Sequence, residues 1–414
     1  MLKHRKILIA SGSRHTIPPV KNSPGVPRII FQLTEKDPDD FQFVVLSKYD
    51  KALDASSYNP NKYLHPKPTL NTRLFERFLK IMPYRWRKKK YGFSQPDRIV
   101  YYTSLVQEAK LQNPDIVVTF MHVELFKMLQ KAIPKAKHVF FFRSTDLKGR
   151  IGNENINFLL QHSAGFLANT KAPIDELKAI NINASFPMET IYNAVPKIML
   201  TNDEQKEIGA KFRTKFDLKT TDFVIGYAGR FSEEKSLKEL FDVLKKLKDE
   251  GTIIHLIIAG DITNEKTPNH QYYKELMTFK ETHLARQVHL AGWITNTELY
   301  HFYCAINVGV LLSKYREGNS MFLIEAMSYG VPVIATEIGG NKEIITSSLN
   351  GILIKPEKVE SALKENIITL LNNSAKYKAI SKEAHTYIRE NDSEKNMVEL
   401  FINFIKKINS ILNV

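Results

Sequence analysis

Two carboxylates, Glu317 and Glu325, bracket seven residues in the stretch Arg316-Glu317-Gly318-Asn319-Ser320-Met321-Phe322-Leu323-Ile324-Glu325-Ala326-Met327. An apolar run of strand length, Ile306 to Leu312, precedes them. After them Gly330 and Pro332 stop a helix, and Val331 to Thr336 reads as another buried strand. One carboxylate therefore falls at a strand-to-helix corner, where a parallel sheet opens its binding crevice. The N–H groups of Gly318, Asn319 and Ser320 are expected to be the unpaired donors of the helix start, a ready anion site. The spacing alone equally describes two solvated helix carboxylates. The order strand, Glu-Gly, helix, Gly-x-Pro, strand is what makes the segment specific.

A second constellation is Gly226-Tyr227-Ala228-Gly229-Arg230-Phe231-Ser232-Glu233-Glu234-Lys235-Ser236. A strand is expected to end at Gly229, with Arg230 just beyond it and Lys235 just before a helix. Ser236 with Glu239 has the spacing of a capping box ahead of Leu240, Phe241, Leu244 and Leu247. Two fixed cations at one sheet edge, beside a helix start, suit a diphosphate; a solvated turn is the plainer reading. Gly339-Gly340, ahead of Asn341-Lys342-Glu343, allows close backbone approach to a ligand at a helix start. Val288-His289-Leu290-Ala291-Gly292-Trp293-Ile294 reads as a strand and its loop. Trp293 is either a core aromatic or a ligand contact. In the first half, Val117-Val118-Thr119-Phe120-Met121-His122 ends a strand on a histidine.

These motifs together resemble family 4 of the retaining glycosyltransferases, which have the GT-B fold. The family pattern is matched by Glu317, Glu325, Ala326, Met327 and Gly330-Val331-Pro332-Val333. The resemblance implies two Rossmann-like α/β domains facing across a cleft. It implies that Arg230 and Lys235 neutralise the departing nucleotide diphosphate, that Glu317 contacts donor-sugar hydroxyls, and that Glu325 binds the ribose. It further implies that Gly229, Gly318, Asn319, Ser320, Gly339 and Gly340 border the donor and that main-chain groups of Trp293 and Ile294 contact the base. His122 would face the sugar. The chain departs from the family in the loop after the first strand, Ser11-Gly12-Ser13 through Pro24-Gly25-Val26-Pro27-Arg28. That loop lacks the usual Gly-Gly, and Gly25 is left as its donor-side candidate.

Other chemistries lack their motifs. There is no Gly-x-Gly-x-x-Gly, Walker-type loop, Gly-x-Ser-x-Gly or His-Glu-x-x-His. His122-Val123-Glu124 looks like half of a zinc deaminase motif, but its Cys-x-x-Cys cannot exist with one cysteine. Arg230 and Lys235 would neutralise the diphosphate, so neither metal nor cofactor is expected; the nucleotide sugar is a substrate. The single cysteine, Cys304, excludes a disulfide within the chain, fits a reducing compartment and reads as a small buried hydrophobe.

The formal charge of +15 favours an anionic partner. Much of it lies between Leu70 and Lys90, where Arg73, Arg77, Lys80, Arg85, Arg87, Lys88, Lys89 and Lys90 stand against the single acid Glu76. Leu70, Leu74, Phe75, Phe78, Leu79, Ile81 and Met82 interleave at helical spacing up to Pro83, and Tyr84, Trp86 and Tyr91 follow. Basic residues and aromatics beside an apolar stripe are what an interfacial membrane helix needs. Arg77, Lys80, Arg85, Trp86, Arg87, Lys88, Lys89 and Lys90 are the expected membrane contacts. A solvated helix packed on its domain by the stripe is the alternative, and nucleic acid is not expected as a partner. The N-terminal apolar run is too short for a signal peptide. No segment approaches the ~18–20 apolar residues of a membrane span. The expected location is cytoplasmic, peripheral on the inner face of the cell membrane.

Strands are expected at Lys6–Ala10, Phe41–Leu46, Asp115–Phe120, His138–Phe142, Gly165–Ala168 and Met188–Tyr192. Six more are expected at Asp222–Tyr227, His255–Ala259, Val288–Leu290, Ile306–Leu312, Val331–Thr336 and Gly351–Ile354. Helical patterns separate most of them, which predicts parallel sheets covered by helices. The expected domains are 1–196 on the acceptor side, with its basic segment 70–92, and 197–390 on the nucleotide-sugar side. A last helix, 391–414, would cross back to the first domain. The activity so implied is retaining transfer from a nucleotide-diphosphate sugar, best a UDP-hexose, to a membrane-associated glycan or glycolipid such as a lipopolysaccharide core. A nucleotide-sugar epimerase or hydrolase on the same fold, and a non-catalytic basic binding protein, are the alternatives.

Overall fold

The computed structural model describes residues 5–13, 15–20, 25–53, 58–67, 69–181, 186–196, 198–260, 270–315 and 317–410. Arg316 and part of the loop between Ser13 and Gly25 lie outside the described residues. The chain forms two compact units. The first is Met1–Ile191 together with Met397–Val414, and the second is Tyr192–Asn396.

The first unit is built on seven parallel strands: β1 (Arg5–Ser11), β2 (Phe41–Leu46), β3 (Tyr63–Leu64), β4 (Ile116–Phe120), β5 (Lys137–Phe142), β6 (Gly165–Ala168) and β7 (Met188–Thr190). Their order is β3-β2-β1-β4-β5-β6-β7. Near-continuous apolar runs such as Ile7 to Ala10 and Phe140 to Phe142 are buried on both faces, as helices on both sides of a parallel sheet require. The two-residue edge strand β3 had no counterpart in the sequence reading. The helix Glu394–Ser410 supplies Phe401, Phe404, Ile405 and Ile408 to this unit. Gly165 lets the helix approach: a Cβ there would lie 2.6 Å from Ile408 Cδ1.

The second unit has six parallel strands: β8 (Val224–Ala228), β9 (His255–Ala259), β10 (Val288–Gly292), β11 (Val308–Leu311), β12 (Val333–Thr336) and β13 (Ile352–Ile354). They run in the order β10-β9-β8-β11-β12-β13. Helix Leu237–Asp249 shows how the pattern becomes packing. Leu237, Leu240, Phe241, Leu244 and Leu247 recur on one face and all are buried against the sheet. The N–H of Val195 donates to the Asp392 carbonyl at 3.1 Å, and Val195 bridges Ser393, so the two crossings of the chain are tied together within the second unit.

Each sheet reverses its strand order once, between β1 and β4 in the first unit and between β8 and β11 in the second. At such a point neighbouring connections leave to opposite faces and a crevice opens beyond the carboxyl ends of the strands. Gly12 and His122 follow β1 and β4; Gly229 and Ser313 follow β8 and β11. Both Rossmann-like units of the expected α/β fold are present.

Candidate donor site at the second switch point

The β8–β11 crevice gathers most of the residues singled out in the second half of the sequence. Lys235 extends its ammonium to Glu317, Nζ to Oε2 at 2.5 Å, and also reaches Ser313 Oγ at 3.3 Å. The Ser313 hydroxyl donates to the same Glu317 oxygen. Ser313 and Glu317 are buried, and the Lys235 side chain is largely so. Gly340 donates its N–H to the Glu317 carbonyl at 3.0 Å, which draws the Gly339-Gly340 turn onto the same corner. Gly339 has φ 51°, a left-handed conformation that favours glycine. The Lys314 N–H donates to the Glu234 carbonyl at 2.8 Å, which ties the loop after β11 to the loop after β8.

Arg230 is differently placed. Its guanidinium is exposed and pairs with Glu234 at 2.5 Å, a surface contact that an anion can displace at little cost. Beneath it the Tyr227 hydroxyl donates to the Arg230 carbonyl at 2.8 Å. Burial, and then the Glu317 charge, raise the Tyr227 phenol well above its usual range. Gly229 is needed here, because a Cβ would lie 2.6 Å from the Tyr227 oxygen.

The helix starts later than its pattern suggested. It runs Met321–Ser328, with Ser320 as N-cap accepting from the Leu323 N–H. Gly318 and Asn319 therefore belong to the loop ahead of it. None of the N–H groups of Gly318, Asn319 and Ser320 has a hydrogen-bond partner among the described residues. Asn319 is held by Asn193, whose N–H donates to Asn319 Oδ1 at 2.6 Å. On the helix, Glu325 accepts from the buried Tyr303 hydroxyl at 2.6 Å, which fixes the carboxylate. Tyr192 likewise donates to Glu343 at 2.8 Å. The expected Ser236–Glu239 capping box does not form. Ser236 is left-handed at φ 53° and makes no side-chain cap, while Glu239 pairs with Lys314. A short helical turn over Glu233–Lys235 uses that bend to turn Lys235 inward.

Trp293, in the loop after β10, is 48% exposed, so it is not a core aromatic; Ile294 beside it packs against the core. Cys304 is partly buried, and burial pushes its thiol up to about 12, which leaves it unreactive. Among the described residues no group of three or more His, Cys, Asp or Glu side chains is placed to hold a metal ion.

Ser313, Tyr303 and Asn193 were not anticipated. Ser313 had a signal: it is the first polar residue after a buried strand at the switch point. Tyr303 and Asn193 had none, because their roles depend on contacts to Glu325 and Asn319 across the fold.

His122 and Gly25 belong to the first unit. His122 is packed against Gly12, where a Cβ would lie 2.3 Å from the imidazole, and burial, then the Arg98 charge, lower its pKa to about 4. Gly25 is the exposed first residue of helix Gly25–Thr34.

The basic segment forms two helices, Leu70–Ile81 and Tyr84–Tyr91, broken at Pro83 as expected. Of the anticipated membrane contacts, Arg77, Lys80, Arg85, Lys88, Lys89 and Lys90 are exposed. Two are turned inward instead. Arg87 donates to the carbonyls of Ser94, Leu79 and Met82, closing the open end of the first helix. Trp86 packs on the core, edge-on to Phe78 and Tyr91. In the first of the two helices the exposed apolar side chains are Leu70 (72%), Leu74 (51%), Phe78 (47%) and Ile81 (80%), spaced to fall on one stripe. Among the described residues no helix is long and apolar enough to cross a membrane.

Two Rossmann-like units, the second carrying a buried carboxylate–ammonium pair at its switch point, define the class: the fold is GT-B. Residues 209–387 match the family model described as glycosyl transferases group 1. The chain is 23% identical over 179 residues to the lipopolysaccharide 1,2-N-acetylglucosaminetransferase of Salmonella typhimurium, covering 43% of this chain and 46% of that protein. It is 28% identical over 153 residues to the capsular polysaccharide biosynthesis glycosyltransferase CapM of Staphylococcus aureus, covering 37% and 38%. The aligned part thus spans about half, or less, of the length of these relatives. Among solved structures, HepE of Anabaena in complex with UDP superposes with a TM-score of 0.72 at 18% identity, over 97% of this chain and 100% of that one. Sucrose-phosphate synthase of Thermosynechococcus elongatus gives 0.70 at 15% identity, over 98% and 100%.

Proposed function

We propose that the protein is a retaining, metal-independent glycosyltransferase that moves a sugar from a nucleotide-diphosphate donor, best a UDP-hexose, to a hydroxyl of a membrane-associated glycan or glycolipid. The observation that carries this reading is the Lys235–Glu317–Ser313 cluster at the β8–β11 switch point, beside the N–H groups of Gly318 to Ser320, which have no partner among the described residues. An incoming diphosphate takes the ammonium of Lys235 and displaces Glu234 from Arg230. The two cations then stabilise the charge that grows on the leaving diphosphate, where a fixed donor counts most. Glu317, released from Lys235, accepts hydrogen bonds from sugar hydroxyls, and Ser313 keeps its carboxylate aimed. Glu325, held by Tyr303, takes the ribose, with main-chain groups near Trp293 and Ile294 for the base. The neutral imidazole of His122 suits a hydroxyl rather than a phosphate. Attack on the same face as the departing phosphate retains the anomeric configuration without a protein nucleophile. The relatives named for lipopolysaccharide and capsule synthesis, and the HepE complex with UDP, support this reading.

Thermal denaturation with UDP, GDP, ADP and their sugars tests it. A ligand at ~100-fold excess over its dissociation constant stabilises the native state by about 2.7 kcal/mol. UDP is expected to raise the melting temperature most. No shift with any nucleotide would sink the proposal, and turnover of donor without acceptor would point to an epimerase or hydrolase.

The stripe Leu70–Leu74–Phe78–Ile81, flanked by Arg77, Lys80 and Arg85, supports docking on an anionic membrane surface, on its cytoplasmic side. Burying a large apolar side chain is worth about 1.5–3 kcal/mol when complete. The double substitution Phe78→Ser, Ile81→Ser is therefore expected to weaken flotation with phosphatidylglycerol vesicles about tenfold or more. Unchanged flotation would remove this surface from the account.

A further inference from the structure

A recess of about 240 Å³ lies in the first unit, lined by Gly12 after β1, Lys48 and Tyr49 after β2, and residues of the helices Leu70–Ile81 and Pro96–Gln112. Its position beyond the carboxyl ends of β1 and β2 is where an open parallel sheet takes a ligand. Three cations line it: Lys48, Arg73 and Arg98. None of their side chains has a hydrogen-bond or ion-pair partner among the described residues. The two lining carboxylates are already engaged. Glu76 pairs with Lys80 at 2.7 Å, and Asp97 occupies the first turn of Pro96–Gln112, where a helix favours an anion. With three cations against two carboxylates the lining of the recess is net positive by one charge, and the aromatic walls of Tyr49 and Tyr101 complete it. A few convergent polar groups on a largely apolar lining are what a small polar ligand needs. Arg98 also acts on His122, which places the recess beside the first switch point.

The same helix that carries the exposed Leu70–Ile81 stripe forms one wall of the recess through Thr72, Arg73 and Glu76.

We propose that this recess binds the acceptor through a phosphate or carboxylate carried on its saccharide, with Lys48, Arg73 and Arg98 as the anion's ligands. The inference rests on the transferase reading above and narrows the acceptor to an anionic sugar. Charge-assisted hydrogen bonds from guanidinium and ammonium groups are the strong, orienting kind such recognition uses.

The test uses the full chain at low ionic strength. Binding of mannose 6-phosphate, glucuronate, methyl mannoside and inorganic phosphate is measured by calorimetry, with UDP titrated in parallel. The phosphorylated or carboxylated sugar is expected to bind at least about tenfold more tightly than the neutral one. Lys48→Ala and Arg73→Ala, both at exposed positions, are each expected to weaken it by about tenfold while UDP affinity stays unchanged. Equal binding of methyl mannoside, or no effect of either substitution, overturns the proposal. Inorganic phosphate as tight as the sugar phosphate reduces the site to a bare anion site and overturns it too. If the substitutions abolish binding to phosphatidylglycerol vesicles but spare the charged sugars, the cations serve lipid headgroups instead. Loss of UDP binding by the unmodified chain counts against the transferase reading, not against this site.

Discussion

A Lys235→Ala variant is expected to lose about 10²–10³-fold in the rate of sugar transfer and to melt at a lower temperature as well. The first effect is the loss of one fixed cation from a leaving diphosphate, comparable to removing one donor from an oxyanion site. The second follows from the buried partner. The Lys235 and Glu317 side chains retain only 16% and 11% of their exposure. Removing one member of a buried pair leaves an uncompensated charge and costs about 3–5 kcal/mol. Ser313 alone does not neutralise Glu317. The two effects separate in a double variant, Lys235→Ala with Glu317→Gln. The neutral amide needs no counter-charge, so most of the melting temperature returns while activity does not. Rate assays with a nucleotide-sugar donor and thermal melts of the three proteins decide the matter. Near-normal turnover of the single variant would remove Lys235 from the mechanism.

Phe401→Ala is expected to destabilise the first unit by about 3–5 kcal/mol, the usual cost of emptying a buried aromatic site. Phe401 is fully buried and its ring stacks on Phe43 of β2 at 6.1 Å between centroids. Two units need not unfold together, so a single transition is not assumed. The chain supplies its own reporters, because it has two tryptophans, Trp86 in the first unit and Trp293 in the second. In a Trp293→Phe background, urea unfolding followed by fluorescence reports the first unit through Trp86. In a Trp86→Phe background it reports the second through Trp293. Phe401→Ala should move the first transition to lower urea and leave the second in place. Equal movement of both would show that the units unfold as one.

Strand positions were legible in both units, as short apolar runs between helical stripes, and β2, β6 and β9 have the bounds their patterns suggested. Elsewhere β8, β11 and β12 start or stop short of their expected bounds: Phe223 is half-buried and lends only its carbonyl, to the His255 N–H at 3.0 Å, while Leu312 and Val331 are buried beyond the ladder. The two-residue β3 could not be seen, since alternation needs more residues than it has. Around the site, residue types and order pointed to Glu317, Lys235 and Gly339-Gly340 as neighbours. What they did not show was local geometry. A left-handed Ser236 replaced the capping box, and the helix began at Met321 rather than nearer Glu317. In the basic segment the pattern pointed to one amphipathic helix ending at Pro83; neither the second helix, Tyr84–Tyr91, nor the side that faces out was legible. Trp86 and Arg87 looked like surface anchors by type, and tertiary packing and open helix carbonyls drew them inward. The exposed role fell to Leu70, Leu74, Phe78 and Ile81, which a helical stripe alone would assign to the core.

The return of helix Glu394–Ser410 to the first unit also sets an order of events on the ribosome. Domains generally fold as they are synthesised, the N-terminal one first. Here the residues that cover Phe43 and Gly165 are made after the whole second unit. The earlier-made sheet must wait, with part of its apolar face uncovered, until Phe401, Phe404 and Ile408 emerge. The second unit, Tyr192–Asn396, is contiguous and can close first. Maturation of this chain therefore runs against its reading direction, and a nascent chain stalled before Met397 presents the exposed apolar surface that chaperones bind.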